Sequence, residues 1–127
     1  MHILVVDDKE KVVKMICDLL EHLEVTIETA VNGLDALAKA KKSDFDLYIV
    51  DHLMPVMNGI QLVKNLKLKE HSSSKPILFM TTQDVSSLEY IDEYKHFDAI
   101  LAKPLNQDIF YQTINQLLPE NTIVHSL

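Results

Sequence analysis

Four short, continuous apolar runs recur along this chain, and a polar residue follows each of them. An apolar run of this length is typical of a parallel strand that is covered on both faces. Because the carboxyl ends of parallel strands meet at one edge of a sheet, the polar residues are expected to lie side by side. The runs are residues 3–6, 47–50, 77–80 and 99–102, and they are followed by Asp7 and Asp8, Asp51, Thr81 and Thr82, and Lys103 and Pro104.

Between these runs, apolar residues recur at helical spacing, which predicts a helix after each strand. The fourth of five stripes, Leu88 with Ile91, is the weakest, although Ser86-x-x-Glu89 matches a capping box in front of it. The other helix starts are predicted from asparagine caps. The stripes fall within residues 12–23, 34–38, 60–66, 88–91 and 110–117, and the asparagines are Asn32, Asn58 and Asn106.

Residues 25–30 alternate apolar and polar side chains, which indicates a strand at the edge of the sheet with one exposed face. The order of elements is then strand followed by helix, five times. This order predicts one α/β domain with a central parallel sheet and right-handed crossovers. In such a sheet the functional crevice lies beyond the carboxyl ends of the strands, which is where all four polar signals fall.

Composition excludes several classes of function. The chain has 127 residues and a net charge of −7, and every one of its twelve basic residues is lysine. Without arginine and with this acidic balance, direct binding to nucleic acid is not expected. No run of about 18 apolar residues and no signal peptide is found, which predicts a cytoplasmic protein without a membrane partner. The single Cys17 cannot form an internal disulfide.

Three carboxylates, those of Asp7, Asp8 and Asp51, would repel one another at one crevice unless a cation lay among them. Mg²⁺ suits this site because it prefers oxygen ligands and binds through one or two carboxylates together with a phosphate. Lys103 would supply a positive charge and Thr81 a hydroxyl donor for the oxygens of a transferred phosphoryl group. Asp51 would then be the nucleophile that forms an acyl phosphate.

With these residues in place, the chain resembles the receiver domain of two-component response regulators, particularly the single-domain kind used in bacterial chemotaxis. The resemblance covers residues 1–118, and residues 119–127 are expected to be a tail or the start of a linker. Thr81 follows Asp51 by 30 residues and Lys103 follows Thr81 by 22, and both separations match the family. The motifs are Ile-Leu-Val-Val-Asp-Asp at 3–8, Val-Asp-His-Leu-Met-Pro-Val-Met-Asn-Gly at 50–59, Thr81, and Lys103-Pro104.

The resemblance implies a flavodoxin-like, doubly wound (βα)5 fold with a five-stranded parallel sheet in the order 2-1-3-4-5. It implies that Asp51 accepts phosphate and that Thr81 and Lys103 contact the phosphoryl group. Mg²⁺ would be bound directly by Asp8, Asp51 and the backbone carbonyl of Leu53, and through water by Asp7. The Lys103-Pro104 bond is expected to be cis.

The resemblance also implies the partners. The donor would be a histidine kinase or a histidine phosphotransfer protein, and phosphorylation would change the surface that a downstream target binds. In the family this surface is formed by the fourth helix, the fifth strand and the fifth helix. The protein would be a signalling switch whose only chemistry is its own phosphorylation and dephosphorylation, and it would not be an enzyme that turns over a substrate.

Several residues depart from the family pattern. Thr82 stands where a very small residue is usual, and Leu53 and Gln83 occupy positions that tune attack by water. These residues predict slow dephosphorylation. Ile100 replaces the aromatic residue that turns inward in the switch, so transmission should use other residues or be weaker. His52 is expected to face solvent from a loop, whereas Met54 and Met57 should anchor that loop.

Three other functions would use some of the same residues. An aspartyl-phosphate hydrolase of the haloacid-dehalogenase type would have a second aspartate two residues after the nucleophile, where this chain has Leu53. A flavodoxin-like cofactor binder would need a Ser-, Thr- or Gly-rich loop after the first strand, and residues 7–10 are Asp-Asp-Lys-Glu. A receiver-like scaffold that binds partners without phosphorylation stays open as the alternative.

Overall fold

Five parallel strands form one sheet in the order β2-β1-β3-β4-β5, which confirms the predicted fold. The computed structural model describes residues 1–70 and 72–118. The predicted tail, residues 119–127, lies outside the described residues. The strands are β1 His2–Val6, β2 Thr26–Ala30, β3 Leu47–Asp51, β4 Ile77–Thr81 and β5 Ala99–Ala102, and the α-helices are α1 Glu10–Leu20, α2 Gly33–Lys42, α3 Gly59–Lys67 and α4 Gln107–Leu117.

The three predicted asparagine caps are confirmed. The side chain of Asn32 accepts a hydrogen bond from the backbone N–H of Asp35, and Asn106 accepts from Ile109. Asn58 forms a complete capping box with Gln61, in which each side chain accepts from the other's backbone N–H. These bonds satisfy N–H groups that the first turn of a helix cannot pair internally, and so they fix where α2, α3 and α4 begin.

The predicted fourth α-helix is instead two short 3₁₀ helices, η1 (Val85–Tyr90) and η2 (Asp92–His96). The prediction of Ser86 as the cap was also wrong. The side chain of Asp84 accepts the capping hydrogen bond, and the N–H of Ser86 donates it. The apolar side chains explain the geometry, since they recur at every third residue, which matches a 3₁₀ helix of three residues per turn. They are Leu88, Ile91, Tyr94 and Phe97, and the N–H of each of the last three donates to the carbonyl of the one before it.

Helices cover both faces of the sheet, so the strands build two hydrophobic cores. Alternate residues of each strand point to opposite faces. In β3, Tyr48 and Val50 belong to one core and Leu47 and Ile49 to the other. We call the first the Phe79 core and the second the Phe110 core, each after a fully buried phenylalanine that it contains.

The outer strands are less buried than the inner three. Residues of β3 and β4 are all buried, whereas β2 exposes parts of both its faces and β5 buries only Leu101. The predicted edge position of the strand within residues 25–30 is confirmed, because β2 is the first strand in the order, but both of its faces are partly exposed rather than one. Among the described residues, no helix combines the length and apolarity that a membrane crossing requires.

Candidate functional site

The polar residues predicted to meet do meet at the carboxyl edge of the sheet. In the strand register Asp51 pairs with Met80, and Thr81 pairs with Ala102, the residue before Lys103. Asp7 directly follows β1, and its N–H donates to the carbonyl of Ala30 at 3.1 Å, which extends the pairing of β1 with β2. The site is thus assembled from the ends of four neighbouring strands.

Lys103 bridges two of the carboxylates. Its Nζ atom lies 3.0 Å from Oδ2 of Asp7 and 3.0 Å from Oδ1 of Asp51. The Lys103 side chain is 9% exposed, and those of Asp7 and Asp51 are 0% and 5% exposed. The ammonium group therefore neutralises part of the charge of two carboxylates that are almost completely removed from water.

The environment shifts the pKa values of two of these groups. Burial raises the pKa of the Asp51 carboxyl, and the neighbouring charge of Asp7 raises it further, although the hydrogen bond from Lys103 acts in the opposite direction. Burial alone would lower the pKa of the Lys103 ammonium, but its bonds to Asp7 and Asp51 outweigh burial and the net pKa is raised. The charged form of Asp51 is thus disfavoured here, and added positive charge would favour it.

Asp7, Asp8 and Asp51 form a cluster that fits a hard divalent cation. One carboxylate oxygen from each residue lies within 4.8 Å of the others, and Asp8 is exposed while Asp7 and Asp51 are buried. The donor atoms are all oxygens, which is the ligand type that Mg²⁺ prefers. Leu53 lies two residues after Asp51 with its side chain half exposed, and the use of its carbonyl as a ligand remains a prediction.

Thr81 is fully buried, and its hydroxyl is held on the side of His52. Oγ1 of Thr81 lies 2.8 Å from Nδ1 of His52 and accepts a hydrogen bond from the N–H of Gln83 at 2.9 Å. The prediction that His52 faces solvent was therefore wrong. His52 is only 9% exposed, its ring contacts Phe79, and burial lowers its pKa.

Strand pairing explains the position of His52. The N–H of His52 donates to the carbonyl of Met80 at 2.9 Å, so the pairing of β3 with β4 continues one residue past Asp51. Side chains keep alternating along a paired strand, which places His52 on the face of Tyr48 and Val50. That face packs on the Phe79 core. The signal was available in the sequence as this alternation, had the strand been extended by one residue.

The loop after His52 is held from several directions. The N–H of Gly59 donates to the carbonyl of His52 at 2.8 Å, and the N–H of Gly33 donates to the carbonyl of Met57 at 3.2 Å. Met54 is buried in the Phe79 core and Met57 packs against it, which confirms their predicted role as anchors. The loop that carries Leu53 is therefore fixed to α2, α3 and the core.

The departures from the family pattern fall around this edge. Thr82 and Gln83 are exposed directly after Thr81, so both border the site from β4. Ile100 in β5 is partly buried and packs against the Phe79 core. The Lys103-Pro104 peptide is cis as predicted, and the N–H of Lys103 donates to the carbonyl of Thr81 at 2.8 Å.

Comparison with known proteins identifies the family. Residues 3–115 match the model of the response regulator receiver domain. PilH of Pseudomonas aeruginosa is 28% identical over 91% of this chain and 96% of its own length. The structure of the chemotaxis protein CheY4 of Vibrio cholerae is 32% identical, covers 92% of this chain and 98% of its own, and superposes with a TM-score of 0.84.

A third relative was solved with a ligand. The response regulator TrrA of Thermotoga maritima, in complex with Mg²⁺ and BeF, is 27% identical and superposes with a TM-score of 0.81 over 92% of this chain and 98% of its own. The superposition on these structures, the strand order of the sheet and the family match all indicate the same family. The chain therefore belongs to the family of response regulator receiver domains, the phospho-accepting switches of two-component signalling.

Proposed function

We propose that Asp51 is the phospho-accepting residue of this receiver domain and that Mg²⁺ is its cofactor. The observation that carries the proposal is the arrangement around Lys103, whose Nζ atom lies 3.0 Å from both Asp7 and Asp51. A positive charge and the carboxylate that we assign as nucleophile thus lie side by side at the carboxyl edge of the sheet. Asp8 completes the acidic cluster from the exposed side.

The chemistry assigned to Asp51 is a phosphoryl transfer. A carboxylate oxygen of Asp51 attacks the phosphorus of a phosphohistidine, so one O–P bond forms while the N–P bond of the donor breaks. The electron pair of that bond stays on the leaving imidazole nitrogen, which takes up a proton. Mg²⁺ would be held by Asp8, Asp51 and the Leu53 carbonyl, with Asp7 acting through water, and it would neutralise charge on the transferred group.

Lys103 and Thr81 are assigned to the oxygens of the phosphoryl group. Lys103 already contacts Asp51, so a phosphoryl group on that carboxylate would lie within reach of the same ammonium. Thr81 ends the neighbouring strand, and its hydroxyl is a hydrogen-bond donor of the kind such oxygens accept. Both side chains would move towards the phosphoryl group, and the loops that follow β4 and β5 would shift with them.

The output surface is assigned to the face formed by η1, η2, β5 and α4. Phosphorylation adds about −1.5 to −2 units of charge at the end of β3, next to β4 and within reach of Lys103, which follows β5. Tyr90 is 89% exposed and Tyr94 is 38% exposed on this face, and aromatic side chains are enriched at protein interfaces. We expect the phosphoryl donor to be a histidine kinase or a histidine phosphotransfer protein. We expect the protein to act in the cytoplasm.

Phosphorylation with a small phosphodonor tests this assignment. We expect acetyl phosphate and Mg²⁺ to add one phosphoryl group by intact mass, and we expect chelation of Mg²⁺ to prevent it. Asp51→Asn should abolish the addition. Asp84→Asn is the matched control, because Asp84 is an exposed residue that caps η1 and asparagine caps equally well.

Two other outcomes would replace the proposal. Failure of the wild-type protein to be labelled, together with unchanged partner binding, would favour the phosphorylation-independent scaffold. Continued release of phosphate over many turnovers would instead indicate an aspartyl-phosphate hydrolase. A single labelling event followed by slow loss of the phosphoryl group is the result that fits a switch.

A further inference from the structure

The hydroxyl of Thr81 has two hydrogen-bond partners in this structure. Oγ1 lies 2.8 Å from Nδ1 of His52 and accepts from the N–H of Gln83 at 2.9 Å, and Thr81 is 0% exposed. A threonine hydroxyl has one O–H donor and two acceptor lone pairs. When its single O–H points to Nδ1 of His52, the hydroxyl cannot donate at the same time to an oxygen atom on Asp51.

His52 is a rigid holder for that hydroxyl. Its backbone is fixed on both sides, since its N–H donates to Met80 at 2.9 Å and its carbonyl accepts from Gly59 at 2.8 Å. Its ring is tilted against Phe79, with 5.3 Å between the ring centroids. The Nδ1 atom is therefore held at one place, 2.8 Å from Oγ1 of Thr81.

We propose that Nδ1 of His52 accepts the hydrogen bond of the Thr81 O–H, and that His52 is thereby a positioning residue that withholds this donor from a group on Asp51 and sets how readily the phosphoryl-bound state forms. The proposal rests on the proposed function, because Thr81 is assigned there to the phosphoryl oxygens. Loss of the Nδ1 contact removes a competing hydrogen bond. Such a bond contributes a modest net free energy, which corresponds to about a two- to tenfold change in affinity at the site.

The ring of His52 also connects the site to η2. Phe79 contacts His52 on one side and stacks on Phe97 on the other, with 4.1 Å between centroids and 10° between ring planes. Phe97 is the C-cap residue directly after η2. A movement of Thr81 that releases His52 thus reaches the proposed output face through packed rings, although Ile100 lacks the aromatic ring usual at its position.

Two substitutions of His52 separate its hydrogen bond from its ring packing. His52→Phe keeps a ring on Phe79 and removes Nδ1, whereas His52→Asn gives up the ring but keeps a hydrogen-bonding atom at the δ position. The measurement is the affinity of each full chain for beryllofluoride in the presence of Mg²⁺, followed by ¹⁹F NMR. Thermal unfolding confirms that each variant is folded before it is titrated.

We expect His52→Phe to bind beryllofluoride about two- to tenfold more tightly than wild type, and His52→Asn to bind like wild type. In a Thr81→Val background, which has no hydroxyl to hold, His52→Phe should no longer change the affinity. A purely structural role of His52 would not produce this dependence on Thr81.

Three results would overturn the proposal. Unchanged or weaker binding by His52→Phe, equal tightening by His52→Asn, or the same change with and without the Thr81 hydroxyl would each show that Nδ1 does not hold Thr81 back. Failure of the proposed function gives a different result. In that case the wild-type protein binds no beryllofluoride and takes no phosphoryl group from acetyl phosphate.

Discussion

Lys103 donates a hydrogen bond from Nζ to Oδ1 of Asp51 at 3.0 Å. The same ammonium donates to Oδ2 of Asp7 at the same distance, so it is the internal counter-charge of the acidic cluster. A divalent cation at this cluster would add a second positive charge close to Lys103. Lys103 and such a cation would therefore share the same carboxylates.

Removal of the Lys103 charge should destabilise the metal-free protein. We expect Lys103→Met to lower the free energy of unfolding by about 3 kcal/mol in the presence of a chelator, because two buried carboxylates lose their partner. The variant should also bind Mg²⁺ more tightly than wild type, since no ammonium competes for the carboxylates. Urea unfolding and calorimetric titration measure the two effects. The control Lys41→Met, at an exposed position in α2, should change neither the free energy of unfolding nor the Mg²⁺ affinity. Weaker Mg²⁺ binding by Lys103→Met would show that the ammonium does not compete with the cation.

Gly59 fixes the loop that follows the acceptor. A Cβ atom at Gly59 would lie 2.1 Å from the carbonyl oxygen of Asp51, so a side chain there must push the end of β3 away. We expect Gly59→Ala to lower the free energy of unfolding by about 1–3 kcal/mol and to slow phosphorylation by acetyl phosphate. Lys64→Ala, at an exposed position of the same helix, is the control. Wild-type labelling by Gly59→Ala would show that this close approach does not position Asp51.

Leu53 and Thr82 should prolong the life of the phosphorylated state. Leu53 is 49% exposed two residues after Asp51, where an apolar side chain cannot orient an attacking water molecule. We expect Leu53→Asn to lose its phosphoryl group faster than wild type, because an amide can hydrogen-bond that water. Thr82→Ala should also accelerate the loss by opening the site. Loss of label by intact mass gives both rates, and an unchanged rate in either variant removes that residue from the explanation.

Tyr48 is a buried polar group outside the site. Its ring is 0% exposed, and its hydroxyl has no hydrogen-bond partner among residues 1–70 and 72–118. An unpaired buried hydroxyl costs free energy, so Tyr48→Phe should raise the free energy of unfolding by about 1 kcal/mol at pH 7. A loss of stability in this variant would show that the hydroxyl is bonded.

The same residue predicts how stability depends on alkaline pH. Burial raises the pKa of Tyr48 from 10.0 to about 12, so the folded state keeps its proton after the unfolded state has lost it. Stability should therefore fall as pH rises from about 10 to 12, by up to about 1.4 kcal/mol per pH unit from this group. Tyr48→Phe should lose less stability than wild type across that window. Urea unfolding of both proteins at each pH measures the difference.

The sequence predicted the site residues because strand ends are easy to recognise. Asp7, Asp51, Thr81 and Lys103 each follow an apolar run, and parallel pairing alone brings such residues together. The asparagine caps were predictable for a similar reason, since a cap depends on local backbone geometry. Both kinds of signal come from a few neighbouring residues.

The two features that were missed are the burial of His52 and the form of the fourth helix. His52 is buried because its N–H continues the pairing with the carbonyl of Met80, so the alternation of β3 extends one residue beyond the apolar run and Asp51. The spacing of Leu88 and Ile91 fits both an α-helix and a 3₁₀ helix. The backbone bonds that join residues three apart, from the N–H of Ser87 to the carbonyl of Asp84 and on to the bond from Phe97 to Tyr94, identify the 3₁₀ form.

The most direct test of the central claim is to locate the phosphoryl group itself. Protein labelled with acetyl phosphate and Mg²⁺ is treated with borohydride, which reduces an acyl phosphate of aspartate to homoserine, and its peptides are then sequenced by mass spectrometry. We expect homoserine at position 51 and at no other aspartate. Homoserine at position 7, 8 or 84, or labelled protein without homoserine at 51, would contradict the assignment of Asp51 as the acceptor.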